Sequence, residues 1–310
     1  MSRRKIAPLS ALCERIGWND IDPQWVRRLI RMARSEDLAG AGLAAKPAHT
    51  GDVTTRAVVR RGSGRAELRA RRPLTLCGLP LLPLILEVYR VPDATFKPAA
   101  RDGDRLPAGA LIGTFSGPAA GLLTAERVLL NFLQHLSGIA TQTSAYVDAL
   151  GDTRTRLLDT RKTTPGFRVL EKYAVACGGA WNHRIGLFDR VLIKDNHLAA
   201  AGASRGERLA SAIREARRRS PGLRIEVEVD HLEQIPPVIE AGADIVMLDN
   251  FTVPQLRRAV ALCRGRIRTE ASGGVTRKFL PKLAGLGLDF ISTGALVHQS
   301  SWVDIGLDWL

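Results

Sequence analysis

The first 125 residues combine one helical pattern with several short apolar runs. Apolar residues between Ile21 and Met32 recur at helical spacing, and Asp22-Pro23 is typical of a helix start. The later runs are interrupted by glycine and proline, which is typical of strands in a small sheet. These predicted strands are 53–60, 66–72 and 111–116, and the small, polar segment 39–49 is interpreted as a loop.

A long helix is predicted to follow, beginning at Thr124. Its apolar residues recur every three or four positions through Ile139 and form one face, whereas Arg127 lies off that face. Thr124 suits the N-cap, and Glu126 suits the first turn, where the helix dipole favours negative charge. This helix opens the second region of the chain.

From Leu157 onward, short apolar runs alternate with helix-like segments. The runs end in charged residues, polar residues or glycine, and the last four begin about twenty residues apart. This βα alternation is typical of a parallel barrel or a doubly wound sheet. The six runs are 157–159, 191–194, 225–228, 245–249, 267–272 and 290–294, and the helix-like segments between the last four are 232–241, 254–263 and 277–286.

The ends of the predicted strands favour a barrel. Charged and glycine residues cluster there, and barrel enzymes place their chemistry at the carboxyl ends of their strands. A complete barrel takes about 250 residues, so this shorter region is expected to hold six or seven strands. We predict an N-terminal domain over 1–125 and an incomplete α/β barrel over 126–296, covered by the first domain or by a second subunit. Residues 297–310 are expected to pack back on the first domain.

Five cationic side chains lie at or beside these strand ends. Converging strands would bring them to one mouth, where they would hold several negative charges. Arginine gives bidentate hydrogen bonds to carboxylate or phosphate, and lysine gives a compact point charge. The five residues are Arg161, Lys162, His183, Arg184 and Lys194.

Two glycine segments follow the last two predicted strands. Ser272-Gly273-Gly274 and Gly294 occupy the places where barrels often hold a phosphate between backbone N–H groups. Either segment alone is more commonly a turn. Their occurrence at two equivalent strand ends favours a phosphate site.

Two acidic residues also lie at predicted strand ends, among these cationic side chains. Glu228 and Asp249 each end an apolar strand. One interpretation is a salt bridge to a neighbouring cation. The other is that they stabilise positive charge at a reacting carbon, bind sugar hydroxyls or hold Mg²⁺.

Composition narrows the classes of function without selecting one. Apolar residues make up 45% and charged residues 25% of the chain, which is ordinary for a globular protein. The formal charge of +14 fits nucleic acid, an anionic membrane or a polyanionic small substrate as partner. Clusters of arginine are interpreted as solvated faces, and they lie at 60–61, 71–72 and 217–219.

The sequence predicts neither a membrane span nor an oxidising environment. The most apolar stretch, 74–91, contains prolines and a glutamate and is too short to cross ~30 Å of hydrocarbon. Cys13, Cys77, Cys177 and Cys263 form no C-x-x-C pair and fit neither a zinc site nor a disulfide framework. Reduced thiols in the cytoplasm are therefore expected.

Ten motifs in a fixed order extend over roughly residues 25–308. The ordered set resembles quinolinate phosphoribosyltransferase, also called nicotinate-nucleotide pyrophosphorylase (carboxylating). The motifs are GDVTT at 51–55, ERVLLNFLQHLSGIAT at 126–141, DTRKTTP at 159–165, LEKYAVACGG at 170–179, NHR at 182–184, LIKDNH at 192–197, EVEV at 226–229, ADIVMLDN at 243–250, EASGG at 270–274 and DFISTGAL at 289–296.

The resemblance implies a small α/β sandwich domain followed by an incomplete α/β barrel. It implies a head-to-tail homodimer whose active site lies between the barrel of one subunit and the first domain of the other. It further implies transfer of phosphoribose from 5-phosphoribosyl-1-pyrophosphate (PRPP) to quinolinate. The products would be nicotinate mononucleotide, pyrophosphate and carbon dioxide, on the route to NAD.

The same resemblance implies a role for each matching residue. Quinolinate would be held by Arg161, His183, Arg184 and Lys194, with Arg127 of the partner subunit reaching the same carboxylates. Lys162 would face the pyrophosphate, and Mg²⁺ would arrive mainly with that group. Glu228 and Asp249 would contact the ribose and could hold Mg²⁺, and with Lys162 and Lys194 they form the catalytic set. The 5-phosphate would be cradled by Ser272, Gly273, Gly274 and Gly294.

The chain departs from the family pattern at two places. Segment 39–49 is longer than the expected link and is interpreted as a surface loop. Trp181 follows Gly178-Gly179-Ala180, where a third glycine is expected in the run, and we expect the Ala180-Trp181 change to reshape the pocket edge. A paralogue associated with molybdenum transport has the same fold, but the intact Lys194-Asp195-Asn196-His197 favours quinolinate. A nucleic-acid-binding protein is suggested by charge alone, without aromatic–basic interleaving or a helix-turn-helix or zinc-finger pattern.

Overall fold

The computed structural model describes residues 6–59, 62–91, 93–203 and 205–310. The chain divides into two compact units that interleave along the sequence. The barrel unit contains residues 1–15, 145–164 and 180–299, and the sandwich unit contains residues 16–144, 165–179 and 300–310. The sequence predicted domains that each occupy one continuous segment, 1–125 and 126–296, and these boundaries stay a prediction.

Helices and strands alternate through both units. The helices are α1 (Pro23–Ala39), α2 (Val53–Val58), α3 (Leu81–Val88), α4 (Ala119–Leu150), α5 (Arg168–Cys177), α6 (Asp195–Ala200), α7 (Gly206–Arg219), α8 (Ile235–Glu240), α9 (Val253–Cys263), α10 (Leu280–Ala284) and α11 (Ala295–His298). The strands are β1 (Ser63–Ala70), β2 (Leu74–Thr75), β3 (Thr95–Pro98), β4 (Arg105–Leu106), β5 (Leu111–Pro118), β6 (Arg156–Leu158), β7 (Val191–Ile193), β8 (Ile225–Val229), β9 (Ile245–Asp249), β10 (Arg268–Ser272), β11 (Phe290–Ser292) and β12 (Ile305–Trp309).

The sandwich unit is built on an antiparallel sheet with the order β12-β1-β5-β3. Ala66, Leu68 and Ala70 of β1 are fully buried, and the residues between them are not. This alternation places one face of the sheet against the apolar core, because successive strand residues point to opposite faces. The C-terminal strand β12 pairs with β1 from Ala66 to Ala70 and therefore belongs to this sheet.

The opening helix has the predicted start, whereas the segment after it differs from expectation. Asp22 Oδ1 accepts the backbone N–H of Gln24 at 2.8 Å and caps α1. The predicted strand 53–60 is wrong, because Val53–Val58 is a helix. Asp52 caps that helix by accepting the Thr55 N–H at 2.8 Å, so a local cap outweighs the strand preference of β-branched residues. Arg60 and Arg61 lie outside the described residues.

The long helix begins earlier than the sequence predicts. It starts at Ala119, five residues before Thr124, and continues to Leu150. Thr124 is therefore not an N-cap. Its hydroxyl donates to the carbonyl of Ala120 at 2.8 Å, a bond within the helix. The predicted first-turn position of Glu126 is wrong for the same reason.

The barrel unit contains a six-stranded parallel sheet with the order β6-β11-β10-β9-β8-β7. All six strands predicted from 157 onward are present. Among the described residues no ladder joins the two edge strands, β6 and β7, so the barrel is incomplete, as predicted. The fold class predicted from the sequence is thus confirmed in both units.

Alternation along each strand decides which side chains enter the barrel. In β8 the residues Glu226 and Glu228 share one face, and Ile225, Val227 and Val229 share the other. The apolar face is buried at 0–1% exposure. Both acids are consequently turned to the inside, with Glu226 fully buried and Glu228 at the carboxyl end of the strand.

No described helix is long and apolar enough to cross a bilayer. The arginine clusters that the structure describes make ion pairs with acids at the surface. Arg71 pairs with Asp308, and Arg218 and Arg219 pair with Glu215. Arg217 pairs with Asp244 at 2.6 Å, which fixes α7 against the barrel strands.

Candidate functional site

A cleft of about 740 Å³ opens at the carboxyl ends of the parallel strands in the barrel unit. It contains both cationic and acidic side chains together with the two glycine segments. Eleven of the twelve predicted site residues line it: Arg161, Lys162, His183, Arg184, Lys194, Glu228, Asp249, Ser272, Gly273, Gly274 and Gly294. The strands therefore converge as expected, and the roles assigned to these residues stay predictions.

Two arginines make one side of the cleft strongly positive. The Nε of Arg161 is buried and has no hydrogen-bond partner among the described residues. Burial lowers the pKa of Arg184, and the nearby charge of Arg161 lowers it further. Two guanidiniums held close together, with a donor unsatisfied, favour a bound carboxylate or phosphate.

Lys194 and Glu228 make an ion pair across the cleft. Lys194 Nζ lies 2.5 Å from Glu228 Oε2, and the lysine side chain is 43% exposed while that of Glu228 is 11% exposed. This contact agrees with the salt-bridge interpretation of Glu228. An ammonium carries three donors, so Lys194 can hold Glu228 and a substrate carboxylate at once.

The loop after β10 lines the cleft with two glycines in a left-handed backbone conformation. Gly273 and Gly274 have φ values of +86° and +60°, in the left-handed region that other residues rarely adopt. A Cβ at Gly273 would lie 2.1 Å from Asn250 Oδ1, so the loop also needs glycine for space. Successive amides in such a turn form a concave anion site, which fits a phosphate.

Gly294 allows two side chains to approach the cleft floor. A Cβ at this position would lie 2.6 Å from Lys162 Cδ and 2.9 Å from His298 Nδ1. Its φ of −72° is ordinary, so the space rather than the backbone conformation requires glycine. His298, to which the sequence assigned no role, lines the cleft beside Lys162.

Beneath the cleft lies a buried ionic cluster that the sequence prediction missed. Glu226 Oε2 lies 3.1 Å from His183 Nε2 and 2.9 Å from Arg190 Nη1. Glu270 Oε1 lies 3.5 Å from the same histidine nitrogen. The signal was present in EVEV and EASGG, since both glutamates lie two residues before a predicted site residue and share its strand face.

The two buried carboxyls hold different charge states. Burial alone would raise the pKa of Glu226, but His183 and Arg190 together hold it below its usual range. Burial and the adjacent Glu226 raise the pKa of Glu270 well above its usual range. Glu226 is therefore the anion of the cluster, and the protonated form of Glu270 is favoured over its charged form.

The cluster fixes the segment that carries His183 and Arg184. The His183 backbone N–H donates to Asp159 Oδ1 at 2.8 Å, and the Arg184 backbone N–H donates to His183 Nδ1 at 2.8 Å. Both ring nitrogens of His183 therefore face protein groups. The geometry supports a positioning role for this ring, and its predicted contact with quinolinate is not tested.

Arg127 is the predicted site residue that is not among the lining residues. It is exposed on α4, in the part of that helix that belongs to the sandwich unit. Its predicted origin in a partner subunit is not tested by one chain.

Trp181 is not among the residues that line the cleft, and its effect on the pocket edge stays a prediction. The ring lies between two guanidiniums, with Arg156 Cζ 3.8 Å and Arg15 Cζ 4.4 Å from its centroid. Its backbone forms a parallel bridge with Leu158 at the edge of β6. Cation–π attraction and this bridge give the indole a structural role at the barrel edge.

These features define an enzyme that acts on small, multiply charged anions. Residues 52–137 match the family model for the N-terminal domain of quinolinate phosphoribosyl transferase, and residues 139–308 match the model for its C-terminal domain. The chain belongs to the quinolinate phosphoribosyl transferase family.

Curated relatives resemble the chain over most of its length. It is 42% identical over 262 residues to a probable nicotinate-nucleotide pyrophosphorylase [carboxylating] of Bacillus subtilis, covering 84% of this chain and 88% of the relative. It is 41% identical over 297 residues to the nicotinate-nucleotide pyrophosphorylase [carboxylating] of Mycobacterium leprae, covering 94% and 99%. The solved structure of the nicotinate-nucleotide pyrophosphorylase from Francisella tularensis matches with a TM-score of 0.86 at 38% identity, covering 94% of this chain and 98% of that one.

Substitution of Gly294 by alanine is expected to impair phosphoribosyl transfer without unfolding the protein. The new Cβ would displace Lys162 and His298 from the cleft floor. We expect kcat/KM for the phosphoribosyl donor to fall at least about tenfold, equivalent to ~1.4 kcal/mol. Gly285→Ala is the matched control, because a Cβ there meets nothing within 4 Å and activity should not change. Equal activity of the two variants would contradict the proposed crowding.

Glu270→Gln is expected to stabilise the protein at neutral pH. An unfolded glutamate loses its proton near pH 4.3, whereas the raised pKa keeps folded Glu270 protonated to higher pH. Deprotonation therefore lowers the free energy of the unfolded wild type as pH rises through this window, and the free energy of unfolding falls. Glutamine has no proton to lose, so the variant avoids this fall in stability. Urea unfolding should give a larger free energy of unfolding for Glu270→Gln than for the wild type at pH 7, and equal values below about pH 4. Exposed Glu240→Gln is the control, and a less stable Glu270→Gln at pH 7 would show that Glu270 is charged when folded.

Proposed function

We propose that this chain transfers phosphoribose from PRPP to quinolinate with decarboxylation, giving nicotinate mononucleotide for NAD synthesis. The observation that carries the proposal is the cleft itself, in which unsatisfied arginine charge and a glycine phosphate loop lie within one cavity. Quinolinate has two carboxylates, and PRPP has phosphate and pyrophosphate groups. Family membership and the names of the relatives agree with this pair of substrates.

The dicarboxylate half of the site is assigned to Arg161, Arg184 and Lys194. Their charges pair with the two carboxylates of quinolinate and orient its ring nitrogen toward the sugar. Buried His183 holds the Arg184 backbone in place through Nδ1, and Glu226 fixes the ring from the other side. The protein thus supplies position and fixed charge, and no covalent nucleophile is required.

The sugar-phosphate half is assigned to the other strand ends. The Ser272-Gly273-Gly274 loop and Gly294 hold the 5-phosphate, and Lys162 faces the pyrophosphate. The ring nitrogen attacks C1 of the ribose, the bond to pyrophosphate breaks, and positive charge develops at C1. Glu228 and Asp249 stabilise that charge. The bond between the ring and the carboxylate next to the pyridinium nitrogen then breaks, and its electron pair stays on the ring carbon as carbon dioxide leaves. A proton from solvent takes the place of the carboxylate on that carbon.

The residues of the cleft fit a magnesium ion that arrives with the substrate. Among the described residues, Glu228 and Asp249 are not part of a three-ligand cluster, and Glu228 is already paired with Lys194. Mg²⁺ is commonly bound by one or two carboxylates together with substrate phosphates and water. When bound, the ion would neutralise charge on the departing pyrophosphate. Asp249, half-buried at the end of β9, would be the chain's most available ligand.

The proposal includes a homodimer in the cytoplasm, acting on small molecules rather than nucleic acid. Arg127 is exposed and outside the cleft, so a second subunit would have to supply it there. Closed twofold dimers are the commonest homo-oligomers. All four cysteines are free, which agrees with a reducing compartment. The cleft is a concave pocket of about 740 Å³, which suits a small substrate.

A direct assay tests the reaction. Purified protein with quinolinate, PRPP and Mg²⁺ is expected to consume quinolinate and release one carbon dioxide for each pyrophosphate. Chelation of Mg²⁺ should stop turnover, because the pyrophosphate would lose its counter-ion. Turnover of nicotinic acid with no turnover of quinolinate would contradict the substrate assignment.

Mixing two inactive variants tests the shared site. Arg127→Ala keeps its cleft intact, and Lys194→Ala keeps its Arg127 intact. Equal mixing should give about one quarter of wild-type activity, because half of the dimers are mixed and each has one complete site. Lys194→Ala mixed with Glu228→Ala is the control, since both changes lie in the same cleft and no complete site can form. Restored activity in that control, or none in the first mixture, would contradict the model.

A further inference from the structure

Two cysteines that are 100 positions apart in sequence meet in the sandwich unit. The sulfurs of Cys77 and Cys177 and a carboxylate oxygen of Asp102 all lie within 4.8 Å of one another. Cys77 follows β2, Asp102 lies in the turn between β3 and β4, and Cys177 ends α5. Neither the proposed reaction nor the cleft uses this cluster, which lies outside the barrel unit.

Hydrogen bonds hold the Cys77 backbone and the Asp102 carboxylate in place. Ser137 Oγ accepts the Cys77 N–H at 3.0 Å and donates to the Cys77 carbonyl at 3.1 Å. Asp102 accepts the N–H groups of Gly78 at 2.8 Å and Leu79 at 3.0 Å. The Cys77 backbone and the Asp102 carboxylate are therefore held in place before any ligand arrives, which favours a preorganised binding site.

The third ligand lies against the same turn. A Cβ at Gly103 would lie 3.6 Å from the Cys177 carbonyl oxygen, so the turn that carries Asp102 packs on the end of α5. Tyr173, one helical turn before Cys177, donates its hydroxyl to Asp102 Oδ2 at 2.8 Å. With the two amides, this bond fills three of about four acceptor positions on the carboxylate, and one remains.

An ion can reach the cluster from outside. Cys77 is buried, but Asp102 and Cys177 are half-buried. Asp102 also lines a cavity of about 870 Å³ in the sandwich unit. A metal site needs an entry path, and this cavity reaches the cluster at Asp102.

We propose that Cys77, Cys177 and Asp102 form a binding site for a thiophilic divalent cation of the zinc class. Zinc is bound by thiolates and carboxylates, and tetrahedral ligation with sulfur at ~2.3 Å separates two sulfurs by about 3.8 Å. The ligand atoms here need to move by less than about 1 Å to reach that geometry. Each thiol gives its proton to solvent as the ion binds, and water completes the fourth position.

The carboxylate distinguishes this site from a disulfide pair. A disulfide would use the two sulfurs alone, whereas here a fixed acid converges on them and supplies negative charge for a cation. The bound ion would join the end of α5, the 101–104 turn and the segment after β2. Binding is therefore expected to stabilise the sandwich unit.

Zinc binding to the reduced, full-length protein tests the proposal in the absence of substrates. A chromophoric chelator is titrated in competition, and the expected result is one Zn²⁺ for each chain. Cys177→Ala and Cys77→Ala should each weaken binding roughly 100-fold or more, and Asp102→Asn should weaken it less. Cd²⁺ should give an ultraviolet thiolate-to-metal band in the wild type that both cysteine variants lose.

Two control variants locate the ion. Cys263→Ala removes a buried thiol elsewhere, and Glu270→Gln alters the other group of candidate ligands, His183 with Glu226 and Glu270. Both should bind Zn²⁺ as the wild type does. Thermal unfolding should show a midpoint raised by Zn²⁺ in the wild type and unchanged in Cys177→Ala, whose half-buried position makes it the safer of the two cysteine changes. Unchanged affinity in Cys177→Ala, or no binding by the wild type at micromolar free Zn²⁺, would overturn the site.

Discussion

The active-site cleft depends on one buried carboxylate beneath it. Glu226 is fully buried and lies within 3.1 Å of both His183 and Arg190. A lone carboxylate there would be very costly, so Glu226 depends on the guanidinium of Arg190 and on its contact with the His183 ring. The Arg184 backbone N–H donates to the ring of His183, so the contact between Glu226 and that ring also helps to position Arg184 in the cleft. The anion-binding geometry is thus built on an internal charge balance.

The cleft above that cluster carries charge that the protein itself does not neutralise. Arg161 has an unsatisfied buried donor, and the pKa of Arg184 is lowered first by burial and then by the charge of Arg161. Lys194 is balanced by Glu228, so the imbalance is concentrated on the two arginines. A substrate with two carboxylates relieves this repulsion when it binds, and a neutral pyridine would not. Electrostatics therefore accounts for selection of a dicarboxylate before any detailed shape is considered.

The sequence was sufficient for the parts of the fold that depend on local pattern. Strand ends were identified because apolar runs stop at charged or glycine residues, and those residues converge in parallel strands. The start of α4 was placed too late because Ala119 and the next residues carry no cap signal. The helix at Val53–Val58 was missed because its β-branched residues favour a strand when the Asp52 cap is ignored. The alternation in EVEV places Glu226 on the same face as Glu228, but its partners His183 and Arg190 come from distant segments, so the pairing itself was not predicted.

The interleaving of the two units has a consequence for how the protein is made. The sheet of the sandwich unit is finished by β12, whose residues pair with β1 more than 230 positions earlier. During synthesis the ribosome must therefore release nearly the whole barrel sequence before that sheet can close. Contacts of such separation form slowly and leave the edge of β1 open meanwhile. Until β12 has been synthesised, the open edge of β1 can pair with a strand of another chain. Misassembly between chains is therefore most favoured at this point of synthesis.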